Sequence, residues 1–440
     1  MNTPIVDFLN KYAESGTARF HMPGHKGSGE YAFDITEIKG ADELFGAEGI
    51  IAESEENATA LFGTAHSYFS TEGSTLSIKA MLTLAASQKP KAERPLFLAA
   101  RNVHKAFVYG AAMLDAEVKW LYSEEGHICK CIITPDDVLK AIKSCRRKPD
   151  GVYITSPDYL GNIIDIKAIA EVCDRYMVPL LVDNDHGAYL AFLEKNIHPI
   201  SLGASMCADS AHKTLPVLTG GAYLHIAEKA SHFCENARST LAMYASTSPS
   251  YLILRSLDAC NKYLAESDKK RRDFAVKYVE NTREMLAKKQ IVTEGNEPLK
   301  IVINAPSSGY EGDELSEFFR NMSIEPEFCD RDYTVLLVSE FNSDREFELL
   351  SRAFDALKAK SPINRYAQKA PKAKAEMSIR EAVFALSETV DIKDAEGRVA
   401  AQPTVSCPPA VPIAISGEII DKECITTFSH YGITKIKVVK

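Results

Sequence analysis

A chain of 440 residues is long enough for two or three domains and a sizeable core, and its 45% apolar and 25% charged residues suit a globular protein. A net charge of −9 argues against nucleic acid as a main partner. No apolar stretch approaches the roughly 18 residues of a membrane span, so no membrane partner is expected.

The N-terminus, Met1-Asn-Thr-Pro-Ile-Val-Asp7, has no basic region followed by an apolar one, so no signal peptide is expected. Residues 1–30 read as a short helical arm followed by a turn-rich segment, His21-Met-Pro-Gly-His-Lys-Gly-Ser-Gly29. From about 60 to 226 the pattern alternates strand and helix. Leu96-Phe-Leu-Ala-Ala, Val118-Lys-Trp-Leu-Tyr, Gly151-Val-Tyr-Ile-Thr, Val178-Pro-Leu-Leu-Val-Asp, Ala204-Ser-Met-Cys-Ala and Ala222-Tyr-Leu-His-Ile are the strands. Pro135-Asp-Asp-Val-Leu-Lys-Ala-Ile-Lys between them has Thr134 as N-cap, proline at the first position and acids in the first turn, so it reads as a helix. Such alternation implies an α/β fold, a mainly parallel sheet covered on both faces, with ligands at the C-terminal strand ends. Residues 250–288 read as one long helix. A smaller α/β unit follows, with strands near 299–303 and 333–338 and helices near 313–321 and 344–358. Residues 360–376 have linker composition. A terminal segment then holds a helix from Ser378, a turn at Cys407-Pro-Pro-Ala-Val-Pro412 and a last short strand. The divisions expected are an arm at 1–30, a large domain at 31–250, a helix and small domain at 251–365, and a C-terminal segment at 366–440. None of the ten cysteines forms a Cys-x-x-Cys pair, and Cys129-Lys-Cys131 is too tight for the usual zinc spacing. No metal site is expected, and the thiols read as reduced, in a cytoplasmic protein.

The chemistry centres on Leu180-Leu-Val-Asp-Asn-Asp-His186 and Ser210-Ala-His-Lys213. One run ends in Asp183 and the next is followed by Lys213, each at the mouth of a strand. Pyridoxal phosphate (PLP) chemistry needs such a pair: a lysine for the Schiff base and an aspartate to keep the pyridine nitrogen protonated. An isolated Asp and Lys are ordinarily solvated surface groups, so the flanks matter. Gly73-Ser-Thr75 opens a helix, where free N–H groups and the helix dipole meet an anion, although the same residues also serve as a plain N-cap. His104 follows a strand end, where an imidazole can stack on a pyridine ring or simply be a satisfied loop group. Ser210 and His212 can donate to a phosphate, and Thr219-Gly-Gly221 permits a tight return of the chain. These elements fall in order along successive strand ends.

With these residues in view, the chain resembles the fold-type I PLP enzymes of the ornithine/lysine/arginine decarboxylase group. Arg19-Phe-His-Met-Pro-Gly-His-Lys-Gly27 looks like that group's N-terminal signature. Asp34-Ile-Thr-Glu37, Gly40-Ala-Asp-Glu-Leu44, Gly73-Ser-Thr, Arg101-Asn-Val-His-Lys, Ser156-Pro-Asp-Tyr-Leu-Gly161, Val182-Asp-Asn-Asp-His-Gly-Ala188, Ser210-Ala-His-Lys213 and Thr247-Ser-Pro-Ser-Tyr251 continue the match in order. The likeness is to the short form, without the extra N-terminal domain of longer members. It implies Lys213 as the Schiff-base lysine, Asp183 at the pyridine nitrogen, and His104 stacked on the ring. Ser74, Thr75, Ser210 and His212 would hold the phosphate, with His186 near the cofactor's phenolic oxygen or the substrate. Thr247 and Ser248 would reach a neighbouring subunit's cofactor, since such sites form at dimer interfaces. The group usually has Asp-Glu-Ala-His where this chain has Asp183-Asn-Asp-His186, and Asn where it has Glu72. Asp185 therefore sets a carboxylate where a small alanine packs under the ring, expected as an unpaired charge costly to stability or turnover.

The expected function is decarboxylation of a basic amino acid, arginine first and then lysine or ornithine, by a cytoplasmic homodimer or larger assembly in polyamine synthesis. Glu37, Asp42 and Glu43 are the acids proposed to meet the substrate's distal cation, by bidentate pairing in the case of arginine. Another PLP reaction, transamination or β-elimination, would need a carboxylate-clamping arginine such as Arg320, Arg331 or Arg345. A catalytically weak homologue with a regulatory role is the other alternative, and Asp185 is its support. A Rossmann dinucleotide site is disfavoured because no Gly-x-Gly-x-x-Gly follows a first strand.

Overall fold

Short runs of buried aliphatic residues become the strands of a central sheet. The computed structural model describes residues 1–88, 93–124, 126–365, 367–405 and 410–440. Strands β1 (His66–Ser70), β2 (Leu96–Ala100), β3 (Glu117–Leu121), β4 (Gly151–Thr155), β5 (Leu180–Asp183), β6 (Met206–Asp209) and β7 (Ala222–Ile226) form one sheet, ordered β1-β7-β6-β5-β4-β2-β3. Strands β2, β4, β5 and β6 pair in parallel, whereas β7 runs antiparallel to both β6 and β1. Every residue of β2, β5, β6 and β7 is buried, which explains their near-continuous hydrophobic sequences. The edge strand β3 instead carries Glu117, which is exposed, and Lys119, which is half-buried, and such charges blunt an edge against further pairing. The helix Gly73–Ala86 buries Leu76, Ile78, Met81, Leu82 and Leu84 with no polar stripe, as a helix covered all round must. Strand β1, His-Ser-Tyr-Phe-Ser, is absent from the sequence expectation because its two serines break the apolar run.

The chain divides into two units: residues 1–99, 135–156 and 165–267 in the first, and 100–134, 157–164 and 268–440 in the second. The single helix expected over 250–288 is two helices, Tyr251–Glu266 and Lys270–Lys288. Ser267 turns extended (ψ 141°), and the Asp268 carboxylate accepts the Lys270 N–H at 3.1 Å. Serine and aspartate compete with the helix for its own backbone groups, so the pair ends one helix and begins another.

The second unit has an antiparallel sheet built from β8 (Thr293–Glu294), β9 (Lys300–Asn304), β10 (Phe328–Cys329) and β11 (Tyr333–Leu337), in the order β10-β11-β9-β8. The helices Gly312–Asn321 and Asp344–Ala356 belong to it, the latter started by a capping box of Ser343 and Glu346. Its C-terminal part pairs Ser387–Asp391 with Lys435–Val439. Val302, Phe328, Val335, Ile413, Phe428 and Val438 share one buried core, which joins the small sheet to the terminal segment. The helix Ile379–Phe384 begins where expected, with Ser378 and Glu381 as a capping box. The turn expected from Cys407-Pro-Pro falls outside the described residues.

Candidate active site

Asp183 closes β5, between Thr155 of β4 and Ala208 of β6. It is 1% exposed. The Tyr153 hydroxyl donates to its Oδ2 at 2.9 Å, and the Asp185 N–H approaches Oδ1 at 3.4 Å. Burial, then the neighbouring Asp185 carboxylate, push the Asp183 carboxyl well above the usual range, against the opposing pull of Lys213 and Tyr153. The site thus sets two carboxylates against one lysine.

The turn after β5 is tightly built. Asn184 donates its backbone N–H to Ala208 O at 2.9 Å and its Nδ2 to Asp209 Oδ1 at 2.8 Å. Gly187 N–H returns to Asn184 O at 2.7 Å. A Cβ on Gly187 would lie 2.0 Å from Asn184 Oδ1, so only glycine fits there. The turn presents Asp185 to Lys213, whose Nζ donates to Asp185 Oδ2 at 2.9 Å. Asp185 is therefore ion-paired, and the unpaired carboxylate expected at this position is not what the fold makes of it. His186 is buried one residue on. Lys213 sits in the short helix Ala211–Thr214 that follows β6.

The phosphate candidates gather nearby. Gly73 adopts φ +69°, a left-handed conformation that glycine takes without strain, and its N–H donates to Gly220 O at 2.7 Å. Ser210 Oγ donates to Ser74 Oγ at 2.9 Å, which brings these two hydroxyls together at the start of the helix Gly73–Ala86. Thr75 is exposed beside them. The His212 backbone and Nδ1 lie 3.2 and 3.0 Å from Gly221 O, which orients the ring. Glu72 does not add a loose charge: its Oε1 accepts the Ser246 N–H at 2.5 Å. Thr247 and Ser248, next in the chain, are exposed. His104 belongs to the second unit, where its Nδ1 caps the helix Lys105–Leu114 by accepting the Ala106 N–H at 3.2 Å.

The acidic block divides by role. Asp42 Oδ1 accepts N–H groups of Glu43 and Glu48 at 2.9 and 3.0 Å, and Oδ2 those of Gly49, Ile51 and Ala52 at 2.9, 2.9 and 3.3 Å. Burial opposes its charge, but this set of donors holds Asp42 below the ordinary carboxylate range. Asp42 is thereby committed to starting the helix Ile50–Phe62. Glu43 is exposed and accepts the Phe45 N–H at 3.1 Å. Glu37 accepts the Thr36 hydroxyl on Oε2, and its Oε1 is buried without a hydrogen-bond partner. Of the arginines named as carboxylate clamps, Arg320 is taken up by Glu317 and Glu325 at 2.8 and 3.0 Å, and Arg331 lies 3.9 Å from Glu311.

Sequence reasoning did not find the polar network behind the site. Asp209 Oδ2 receives His198 Nε2 at 2.9 Å and lies 3.4 Å from His225 Nε2, while Ser67 Oγ meets His225 Nδ1 at 2.8 Å. Burial would raise the Asp209 carboxyl, yet the two imidazoles hold it far below the ordinary range. His198, Cys207 and Asp209 have metal-ligating chemistry at close range. However, the Ile200 N–H donates to His198 Nδ1 at 3.3 Å, which puts the ring proton on Nε2, facing Asp209. That is a hydrogen-bond network, and it ties Asn184 to the strand that leads to Lys213. The signal was an Asp directly before Ser210, but its partners come from a loop (His198), the turn after β5 (Asn184) and the neighbouring strand β7 (His225).

The residues fit a pyridoxal phosphate. A buried carboxylate short of positive charge suits a pyridine N–H. A lysine amine stands within the same charge cluster, and paired hydroxyls on a helix N-terminus suit a phosphate.

Comparison with known proteins agrees. The model of the Orn/Lys/Arg decarboxylase major domain matches residues 3–304, and that of the family's C-terminal domain matches 359–431. The chain belongs to the Orn/Lys/Arg decarboxylase family. It is a PLP-dependent amino-acid decarboxylase. The chain is 29% identical to an arginine decarboxylase of Halalkalibacterium halodurans, over 95% of this chain and 91% of that one. It is 28% identical to an arginine decarboxylase of Bacillus subtilis, over 96% and 92%. The solved E. coli constitutive lysine decarboxylase superposes with a TM-score of 0.78 at 17% identity, covering all of this chain and 82% of that one. The architecture is that of the fold-type I PLP enzymes.

Proposed function

We propose that this decarboxylase acts on a basic amino acid, arginine first and lysine or ornithine second, to give the corresponding amine. The observation that carries the reading is the arrangement of Asp183 and Lys213 on adjacent strand ends, in a chain aligned almost end to end with two proteins named arginine decarboxylase. Lys213 is the lysine that links to the cofactor. Asp183 holds the ring nitrogen's proton, a role that relieves the buried carboxylate's own lack of a cation. Ser74, Thr75, Ser210 and His212 hold the phosphate. Once bound, the cofactor supplies an electron sink for the pair left on Cα as CO₂ departs. A water-poor pocket around the substrate carboxylate would favour its loss as CO₂. His186 or the Lys213 ammonium then returns a proton to Cα.

Glu37 is the acid proposed for the distal cation, because one of its oxygens is buried without a partner while Asp42 is consumed by backbone donors. An arginine substrate would meet it through two parallel N–H donors, a geometry an ammonium lacks. We place the protein in the cytoplasm and in polyamine formation, as a homodimer or larger. Its nine described cysteines are free thiols, consistent with a reducing compartment. The exposed Thr247 and Ser248, together with Phe20 at 96% and Met243 at 70% exposure, suit a surface that meets a second subunit. No described helix is long and apolar enough to cross a membrane.

The test is a panel assay of the PLP-loaded protein with arginine, lysine, ornithine and norleucine, measuring CO₂, amine and keto acid. The expected result is stoichiometric CO₂ and amine, with kcat/KM highest for arginine. Equal turnover of norleucine would remove the distal-cation reading.

A further inference from the structure

Two carboxylates flank Lys213, and their positions assign them different tasks. Asp183 ends β5 and faces the Tyr153 hydroxyl; Asp185, two residues later, holds Lys213 Nζ at 2.9 Å. Asp185 is 11% and Lys213 30% exposed at the side chain, so the pair is only partly screened by water.

The other titratable groups around this pair come from three strands, one turn and one short helix. On β4, burial and then Asp183 push the Tyr153 hydroxyl up, so it stays neutral. On β6, burial and then Asp209 push the Cys207 thiol up, so it too stays neutral. Asp209, also on β6, is committed to His198 and His225. On β5, Asp183 is reserved for the ring nitrogen. His186 follows Asp185 in its turn, and His212, its ring oriented by Gly221, precedes Lys213. This leaves Asp185 as the anion matched to the lysine.

We propose that Asp185 is the counter-ion of the Lys213 nitrogen, a positioning residue that keeps this nitrogen cationic both as the free amine and when linked to the cofactor. The inference rests on Lys213 being the cofactor lysine. Its consequence is that the linked nitrogen holds its proton to higher pH than it would beside the alanine usual in this family. A cationic linked nitrogen leaves the adjoining carbon more open to attack by the substrate amine. The same carboxylate receives the ammonium when the substrate displaces the lysine. Asp185 thereby counts as a specific device of this chain rather than as a mark of weakened catalysis.

The experiment is a spectroscopic pH titration of the PLP-loaded enzyme, following the visible absorbance band of the protonated lysine-linked cofactor. It compares wild type with Asp185→Asn, which keeps size and removes charge, and Asp185→Glu, which keeps charge. An opposite charge at this range shifts a titration by about 1–3 pH units. The midpoint in Asp185→Asn is therefore expected to fall by that amount, with Asp185→Glu recovering most of it. A midpoint in Asp185→Asn equal to wild type would overturn the proposal, and so would an Asp185→Glu that titrates like Asp185→Asn. A Lys213→Ala control separates the two readings. If it keeps the band, Lys213 is not the cofactor lysine and the site reading fails. If it loses the band while Asp185→Asn is unshifted, only the counter-ion inference fails. Thermal melts of the apo forms confirm that each variant folds.

Discussion

Asp183 and Asp185 stand two residues apart around a single lysine, so two carboxylates share one cation. Asp183, the more deeply buried, bears the cost, and its carboxyl is raised rather than depressed. The sign is the reverse of the usual aspartate. Its folded value lies above the unfolded value of about 3.9, so stability falls as pH climbs from there to the raised folded value, and stays lowered above it. Apo Asp183→Asn should therefore be at least as stable as apo wild type at pH 8, with the difference shrinking as pH drops through that window. Its activity with PLP should fall on the order of 10²-fold, the scale of removing a preorganised charge at a reacting centre. Thermal melts at several pH values and kcat measurements check both; an apo variant much less stable than wild type at pH 8 would contradict the charge reading. Asp209 has the opposite sign, because its imidazole partners hold it low and its stabilisation is lost as pH falls. Asp209→Ala strands His198, His225 and Asn184, and should cost about 3–5 kcal/mol by urea denaturation. A loss under about 1 kcal/mol would show that the network contributes little.

At the scale of elements, the turn Asn184–Gly187 links chemistry to packing. Asn184 is pinned by Asp209 and leaves no room for a Cβ on Gly187. Gly187→Ala should overpack the turn, cost about 1–3 kcal/mol, and weaken PLP affinity by moving Asp185. Fluorescence titration with PLP, paired with denaturation, measures both; unchanged affinity would uncouple the turn from the cofactor. The strands that carry the site were readable because parallel strands buried on both faces are written as aliphatic runs, and Leu180-Leu-Val-Asp183 is the clearest of them. The serine-broken β1 was not readable, nor was the break at Ser267–Asp268, since a helical pattern continues across a capping pair. Asp42 looked like a substrate acid because sequence shows its charge but not the five N–H groups that claim it. Asp185 looked unpaired because its partner lies 28 residues away, on the next strand's exit.

For the whole molecule, the family and the α/β class could be read from motif order, whereas the pairing of charges needed the three-dimensional fold. The exposed Phe20, Met243, Thr247 and Ser248 predict self-association. Sedimentation of the PLP-loaded protein at micromolar concentration should give a dimer or larger species, and a monomer would remove the shared-site role of Thr247 and Ser248. The central claim is that Lys213, facing Asp183 and Asp185 across strand ends, carries the cofactor. Borohydride reduction of the PLP-loaded protein, followed by peptide mapping, tests it directly. The account predicts the pyridoxyl group on Lys213 alone, and label on any other lysine would contradict it.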